Sequence, residues 1–196
     1  MMMPIRCIKV SAILLLLLAS SGADLRAKPG EKHTRGIVGR KAPNWDVERW
    51  FNLPEGVDKL DVGDFKGKVV YMLCFQSWCP GCHTRGFPTL QKMIERYKGQ
   101  SAVAFVAVQT TFEGFSVNSA KVAETVGQQY GLKIPIGHTG SDGKRSGLME
   151  RYRTGGTPWI IVIDRDGVVR FNDFHLPLEE GAKLIDRLVA GDTSDR

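Results

Sequence analysis

Residues Val69–Phe75 read VVYMLCF without a charge, and a few residues later the chain reads Trp78-Cys79-Pro80-Gly81-Cys82-His83. A run this apolar on both alternating faces must be covered above and below, which places it as a central strand of a sheet with helices on both sides. Residues 80–98 follow with Leu90, Met93, Ile94 and Tyr97 on one helical stripe. A buried strand turning directly into a helix excludes all-β and all-helical folds, and it puts both cysteines at a helix N-terminus. Pro88 inside that segment removes one intrahelical bond and predicts a kink.

The rest of the chain keeps the alternation. Residues 102–109 (AVAFVAVQ) predict a second buried strand, 117–130 a helix, 133–137 a short strand and 147–152 a helix. Residues 159–164 and 168–172 predict a hairpin about Arg165-Asp166-Gly167, and Leu178–Val189 closes the chain as an amphipathic helix behind Pro177. The order predicts an α/β fold with a mixed central β-sheet flanked by helices. Residues 44–64 are expected to add an N-terminal β-hairpin.

The first residues follow a different logic. Arg6 and Lys9 precede an uncharged stretch, 10–23, whose core 13–19 is wholly apolar and whose end, Ser21-Gly22-Ala23, is small. That is the layout of a signal peptide, residues 1–23, cleaved after Ala23, with a second site near Ala27. The stretch is shorter than the roughly 18 apolar residues of a membrane span, so no stable membrane insertion is expected after cleavage. An uncleaved anchor facing the periplasm is the alternative. Residues 24–35, polar with Pro29 and Gly30, read as a linker, and 36–196 as one domain. The expected location is exported, in the periplasm. The formal charge is +6 with no long block of like charge, which excludes a nucleic-acid-binding arm.

Of four cysteines, Cys7 belongs to the leader, leaving Cys74, Cys79 and Cys82. Three cannot form a stapling framework, and a C-x-x-C pair in an oxidising compartment points to working chemistry. Disulfide exchange needs a thiolate and a second thiol near enough to displace the mixed disulfide. Partial positive charge at the helix N-terminus favours the thiolate of the first cysteine. Cys79 is therefore the candidate nucleophile and Cys82 the resolving thiol, with Trp78, Pro80, Gly81, His83 and Arg85 flanking them. Cys79 is expected to be open to solvent and Cys82 shielded. Thr157-Pro158, entering an apolar strand, is explained by a cis-proline at a tight turn beside the pair, where substrate would bind. Cys74, mid-strand, reads as a small buried hydrophobe. Trp45, Trp50 and Trp159 read as packing, and Arg145, Arg151 and Arg153 as solvated helix surface.

GRKAPNW near the start, FKGKVVYMLCFQSWCPGC, the extra helix at 117–130 and GGTPWIIVIDRDGVV together resemble the periplasmic thioredoxin-like proteins of the TlpA/ResA type, over roughly 36–189. The resemblance implies a thioredoxin fold with an inserted helix and an N-terminal hairpin, and a cis peptide before Pro158. It implies an exported thiol-disulfide oxidoreductase whose only redox group is the Cys79–Cys82 disulfide, with no other cofactor and no metal. Its partners would be protein thiol or disulfide substrates and an upstream redox protein. The sequence departs from that pattern twice. Leu73 stands where thioredoxins carry a buried acid, and Arg85 where ResA-like members carry a glutamate. With both carboxylates gone, His83 and Arg85 are expected to favour the Cys79 thiolate and make the pair more oxidising.

Cys79-Pro80-Gly81-Cys82-His83 is also a literal C-x-x-C-H, the signature of covalent c-type haem attachment. The preceding buried strand, Trp78 and Thr157-Pro158 are features that a haem site does not require. A thiol peroxidase of the peroxiredoxin kind shares the fold, but Met72 and Gln76 stand where its P-x-x-x-T-x-x-C motif needs proline and threonine. A zinc site lacks ligands at suitable spacing, and a pure binding module gives no reason to keep both thiols. Insulin reduction separates the enzyme from the module.

Overall fold

The structure, a computed structural model, describes residues 35–193. The expected signal peptide and nearly all of the linker lie outside these residues. Strands β1 (Arg49–Phe51), β2 (Val69–Phe75), β3 (Val103–Thr110), β4 (Ile136–Thr139), β5 (Trp159–Ile163) and β6 (Val169–Phe174) form one sheet in the order β1-β4-β3-β2-β5-β6. β2, β3 and β4 run parallel, while β5 and β6 at one side and β1 at the other are antiparallel to their neighbours. This is the mixed sheet that the sequence predicts. β2 is paired on both sides, with Leu73 opposite Ala107 on β3 and Ile160 on β5, and all of its residues are buried.

The strand's period of two sorts its side chains between two cores. Val69, Tyr71, Leu73 and Phe75 face α1 (Phe87–Arg96), α2 (Ala120–Gln129) and α4 (Leu178–Val189). Val70, Met72 and Cys74 face the opposite core, with Trp45, Trp159 and α3 (Gly147–Tyr152), whose Leu148 and Tyr152 pack there. The cysteine pair belongs to the first core and Cys74 to the second. Cys74 is thereby separated from the pair by the thickness of the sheet, and full burial pushes its thiol pKa upward.

Just before Pro88 the helix widens. Pro80 and Gly81 begin the helix, Cys82–Gly86 make a π-helical turn, and α1 continues from there. A proline clashes with the carbonyl four residues back. Here the Phe87 N–H bonds to the Cys82 carbonyl, five residues back, and Pro88 falls in the first turn of α1. The Thr84 hydroxyl takes the Pro80 carbonyl at 2.9 Å.

Three elements depart from expectation by more than the one or two residues seen elsewhere. Residues 44–64 do not form a hairpin: they supply only β1, which pairs with β4 through Arg49↔His138 and Phe51↔Ile136. After β1, residues 57–64 have no apolar face of period two, and Asp61 and Asp64 close a capping box on a 3-10 turn, Val62–Phe65. α2 begins three residues later than predicted because Ser119 is its N-cap, accepting from Val122, while Phe115–Val117 form a separate 3-10 turn. β4 begins at Ile136 because Pro135 has no N–H to give the ladder. α3 and α4 fall where the sequence places them.

Candidate active site

Cys79 closes the loop after β2, and Cys82 begins the π-helical turn. Both thiols are free, and their burial differs: Cys82 is fully buried and Cys79 is 6% exposed. Cys79 is thus far more covered than the sequence led us to expect, though it is still the outer of the two. The cover comes from the 157–158 turn, whose Thr157 carbonyl lies 3.4 Å from Cys79 Sγ. From the helix side, the Cys82 backbone N–H donates to Cys79 Sγ at 3.3 Å. That N–H also bonds to the Cys79 carbonyl at 3.0 Å, so it is shared between the carbonyl and the outer sulfur, where a donated hydrogen favours negative charge.

Cys82 is in the opposite situation. Burial pushes its thiol pKa upward, and its hydrogen bond with Cys79 adds to that. The Gln76 N–H and Thr157 hydroxyl oppose the rise without cancelling it. The inner sulfur is held as a protonated thiol.

The Thr157–Pro158 peptide bond is cis, as expected. Two glycines make the seat for Pro158. A β-carbon on Gly81 would lie 3.1 Å from Pro158 Cδ, and one on Gly86 3.2 Å from Pro158 Cβ and 3.4 Å from Leu73 Cδ1. Gly81 belongs to the motif, but Gly86 was not singled out from the sequence. Its only signal is that glycine is a poor helix former and here sits within a helix.

Trp78 is 46% exposed, and its indole lies over Gly114, where a β-carbon would be 3.2 Å from Nε1. Pro80 and Arg85 are exposed. His83 departs from expectation. Its Nε2 is 2.5 Å from the Ser77 carbonyl and its Nδ1 2.7 Å from the Tyr130 hydroxyl, so both ring nitrogens are used away from the Cys79 sulfur. A carbonyl only accepts, so Nε2 carries a proton, and in the neutral ring Nδ1 is then the acceptor of the Tyr130 O–H. Leu73 is fully buried in the core beneath the pair, and no carboxylate replaces the missing acid at that position.

Sequence reasoning did not find Asn118, which is almost completely buried beside the site. Its Oδ1 accepts from the Ser77 N–H at 2.8 Å. Among the described residues no group of three or more His, Cys, Asp or Glu side chains is placed to hold a metal.

Residues 37–176 match the Redoxin family model. The thiol-disulfide oxidoreductase ResA of Bacillus thuringiensis subsp. konkukian is 27% identical over 157 residues, covering 80% of this chain and 81% of the relative. ResA of Geobacillus kaustophilus is 28% identical over 165 residues, 84% of this chain and 85% of the relative. Among solved structures, a thiol-disulfide isomerase from Corynebacterium glutamicum superposes with a TM-score of 0.66 at 30% identity, covering 76% of this chain and 97% of its own. A thioredoxin-like superfamily protein superposes with a TM-score of 0.69 at 29% identity, covering 76% of this chain and 96% of its own.

Proposed function

The chain belongs to the Redoxin family, and from that premise we propose that it is an exported thiol-disulfide oxidoreductase in which Cys79 attacks and Cys82 resolves. The observation that carries the reading is the asymmetry of the two sulfurs. The outer one receives the Cys82 N–H at 3.3 Å, while the inner one is fully buried and kept protonated.

The mechanism uses those two environments in turn. The Cys79 thiolate attacks one sulfur of a substrate disulfide, forming a Cys79–substrate disulfide and releasing the other substrate sulfur as a thiolate. Cys82 then gives up its proton and attacks Cys79 Sγ. The second substrate sulfur leaves as a thiolate, and Cys79 and Cys82 remain as a disulfide. Two electrons pass to the substrate, which takes up two protons, and the reverse sequence oxidises a dithiol. The Thr157 backbone beside Cys79 offers the pairing edge for an extended substrate segment. Protein disulfides or dithiols are the substrates on this reading, and a second redox protein resets the pair.

The haem alternative is disfavoured because covalent attachment through C-x-x-C-H needs both sulfurs and the histidine. Here Cys82 is sealed, and both nitrogens of His83 are engaged within the protein. The test is turbidimetric insulin reduction with dithiothreitol. The wild type should accelerate it, Cys79→Ser should abolish the acceleration, and Cys82→Ser should accumulate mixed disulfides. Equal activity of Cys79→Ser and wild type would refute the assignment.

A further inference from the structure

The span between β2 and Cys79 is anchored at Ser77, whose polar groups are all engaged by other segments. Its N–H donates to Asn118 Oδ1 at 2.8 Å, and its hydroxyl has two acceptors in reach, the Val117 carbonyl at 2.7 Å and Asn118 Oδ1 at 2.8 Å. Its carbonyl accepts from His83 Nε2 at 2.5 Å, and His83 Nδ1 accepts from the Tyr130 hydroxyl at 2.7 Å. Burial pushes the Tyr130 pKa upward, so its hydroxyl remains a donor.

Asn118 is 1% exposed, and its other end is equally committed. Its Nδ2 lies 3.0 Å from the Gly114 carbonyl, 3.3 Å from the Glu113 carbonyl and 3.3 Å from Gln76 Oε1. The Gln109 amide donates to the Asn118 carbonyl at 2.7 Å, tying the residue to β3. Asn118 immediately precedes Ser119, the N-cap of α2, and Tyr130 is the C-cap of the same helix. The helix is about 15 Å long at 1.5 Å per residue, yet both of its ends converge on one loop residue, directly at one end and through an imidazole at the other.

We infer that the inserted helix α2 is a two-ended brace on Ser77, with Asn118 and Tyr130 as positioning residues for the dithiol; the inference rests on the thiol-disulfide reading above. Ser77 is two residues from Cys79, so fixing its peptide fixes where Cys79 Sγ sits relative to the Cys82 N–H. That contact, at 3.3 Å, weakens steeply with misalignment. Release of either end lets the loop drift, and the outer sulfur loses stabilisation of its negative form. The dithiol then becomes less favoured against the disulfide, and alkylation slows.

The test uses the full chain and three variants. Tyr130→Phe removes one oxygen and keeps the ring that stacks on Phe87 at 4.2 Å. Asn118→Ala removes the other end, and the double variant removes both. Two readouts need only the thiols: the equilibrium of enzyme disulfide plus two glutathione with enzyme dithiol plus glutathione disulfide, and the rate of iodoacetamide alkylation at fixed pH. Asn118→Ala should lower the equilibrium constant about tenfold, which is about 30 mV for two electrons. Tyr130→Phe should lower it by roughly threefold, in the same direction. Two substitutions at opposite ends of a helix add when they act independently. Here the double variant should fall short of the product of the two, because both act through Ser77. Unchanged equilibrium and alkylation in folded Tyr130→Phe and Asn118→Ala overturn the brace, as does strict additivity. Should Asn118→Ala fail to fold, unchanged values in Tyr130→Phe alone overturn it. Wild-type insulin turnover is scored separately and tests only the underlying dithiol reading.

Discussion

Gly86 lies directly under Pro158: a β-carbon on Gly86 would come within 3.2 Å of Pro158 Cβ and 3.4 Å of Leu73 Cδ1. Neither neighbour can yield easily, since one is a ring and the other belongs to the fully buried central strand. Alanine at an ordinary helical position would stabilise by up to about 1 kcal/mol over glycine, whereas overpacking a tight core costs about 1–3 kcal/mol. The second effect should win. Gly86→Ala is expected to lower stability by about 1 kcal/mol and to slow insulin reduction, because Pro158 must shift beside the pair. Gly63, with nothing within 4 Å of its β-carbon position and no positive φ, is the control, and Gly63→Ala should leave stability unchanged or slightly raised. Urea unfolding of the two variants decides it, and equal midpoints would show that the Pro158 seat has slack.

Burial orders the three described cysteines for alkylation. In the reduced native protein, iodoacetamide should label Cys79 alone, because Cys82 is sealed and protonated and Cys74 lies within the opposite core. Cys79 itself is only 6% exposed, so its labelling should be several-fold slower than that of an unhindered thiolate. Cys74 should react only in denaturant. Peptide mass mapping after brief labelling reads the order, and modification of Cys82 ahead of Cys79 would reverse the proposed roles.

The parts of this site that were legible in sequence are those encoded locally. VVYMLCF shows its central position through composition, and CPGC shows its place at a helix start through the strand before it. Thr157-Pro158 was legible because proline is misplaced in a central strand. What escaped was set by distant partners. His83 read as a cation beside Cys79 from its spacing along the helix, but its direction is decided by Tyr130, 47 residues away, and by the Ser77 carbonyl. Asn118 carries no local signal beyond a turn preference. The N-terminal hairpin that residues 44–64 suggest does not form for the same reason: β1 finds its partner in β4, far along the chain.

Arg170 Nε lies 2.7 Å from Asp164 Oδ2 at the β5–β6 turn, where Asp164 also accepts from the Asp166 N–H at 2.9 Å and the Val168 N–H at 2.8 Å. The two sides of the pair are not equivalent. Removing Asp164 takes the carboxylate from a largely buried guanidinium, which keeps the Thr193 carbonyl at 3.2 Å, and the acceptor from two backbone donors, whereas removing Arg170 leaves the carboxylate its two N–H partners. Breaking a buried pair costs about 3–5 kcal/mol when the remaining charge is uncompensated. Because Arg170 keeps other partners, Asp164→Ala should fall at or below the lower end of that range, and Arg170→Met should cost less still. Denaturant melts compare the two, and an Arg170→Met loss equal to that of Asp164→Ala would show that the backbone donors do not support the carboxylate.

His138, on β4 at the other side of the sheet, links stability to acid pH. It is 2% exposed, its Nδ1 accepts from the Gln109 amide at 3.1 Å, and its Nε2 donates to Ser141 Oγ at 3.2 Å. Burial lowers its pKa, and the nearby Glu48 carboxylate only partly opposes this. Protonation would set a second N–H against the Gln109 donor. The unfolded chain takes up that proton near pH 6.5, while the native protein takes it up only at lower pH. Between those values the unfolded state holds more protons, so stability rises with pH. His138's contribution is complete above about pH 6.5 and is lost as pH falls below it, with a slope of at most about 1.4 kcal/mol per pH unit. Glu48 acts in a separate and lower window. Burial raises its pKa, but hydrogen bonds from Ser141 and the Gly140 N–H, with His138 and Thr139, outweigh this and leave it lowered. Its contribution is present above its ordinary value and fades as pH falls below about 4.5. His138→Gln should therefore flatten the stability profile between pH 6.5 and the point where Glu48 begins to titrate, and leave the steeper acid limb in place. Urea midpoints measured every half unit of pH give the profile. A variant that keeps the wild-type slope between about pH 6.5 and 5 would show that some other group carries it.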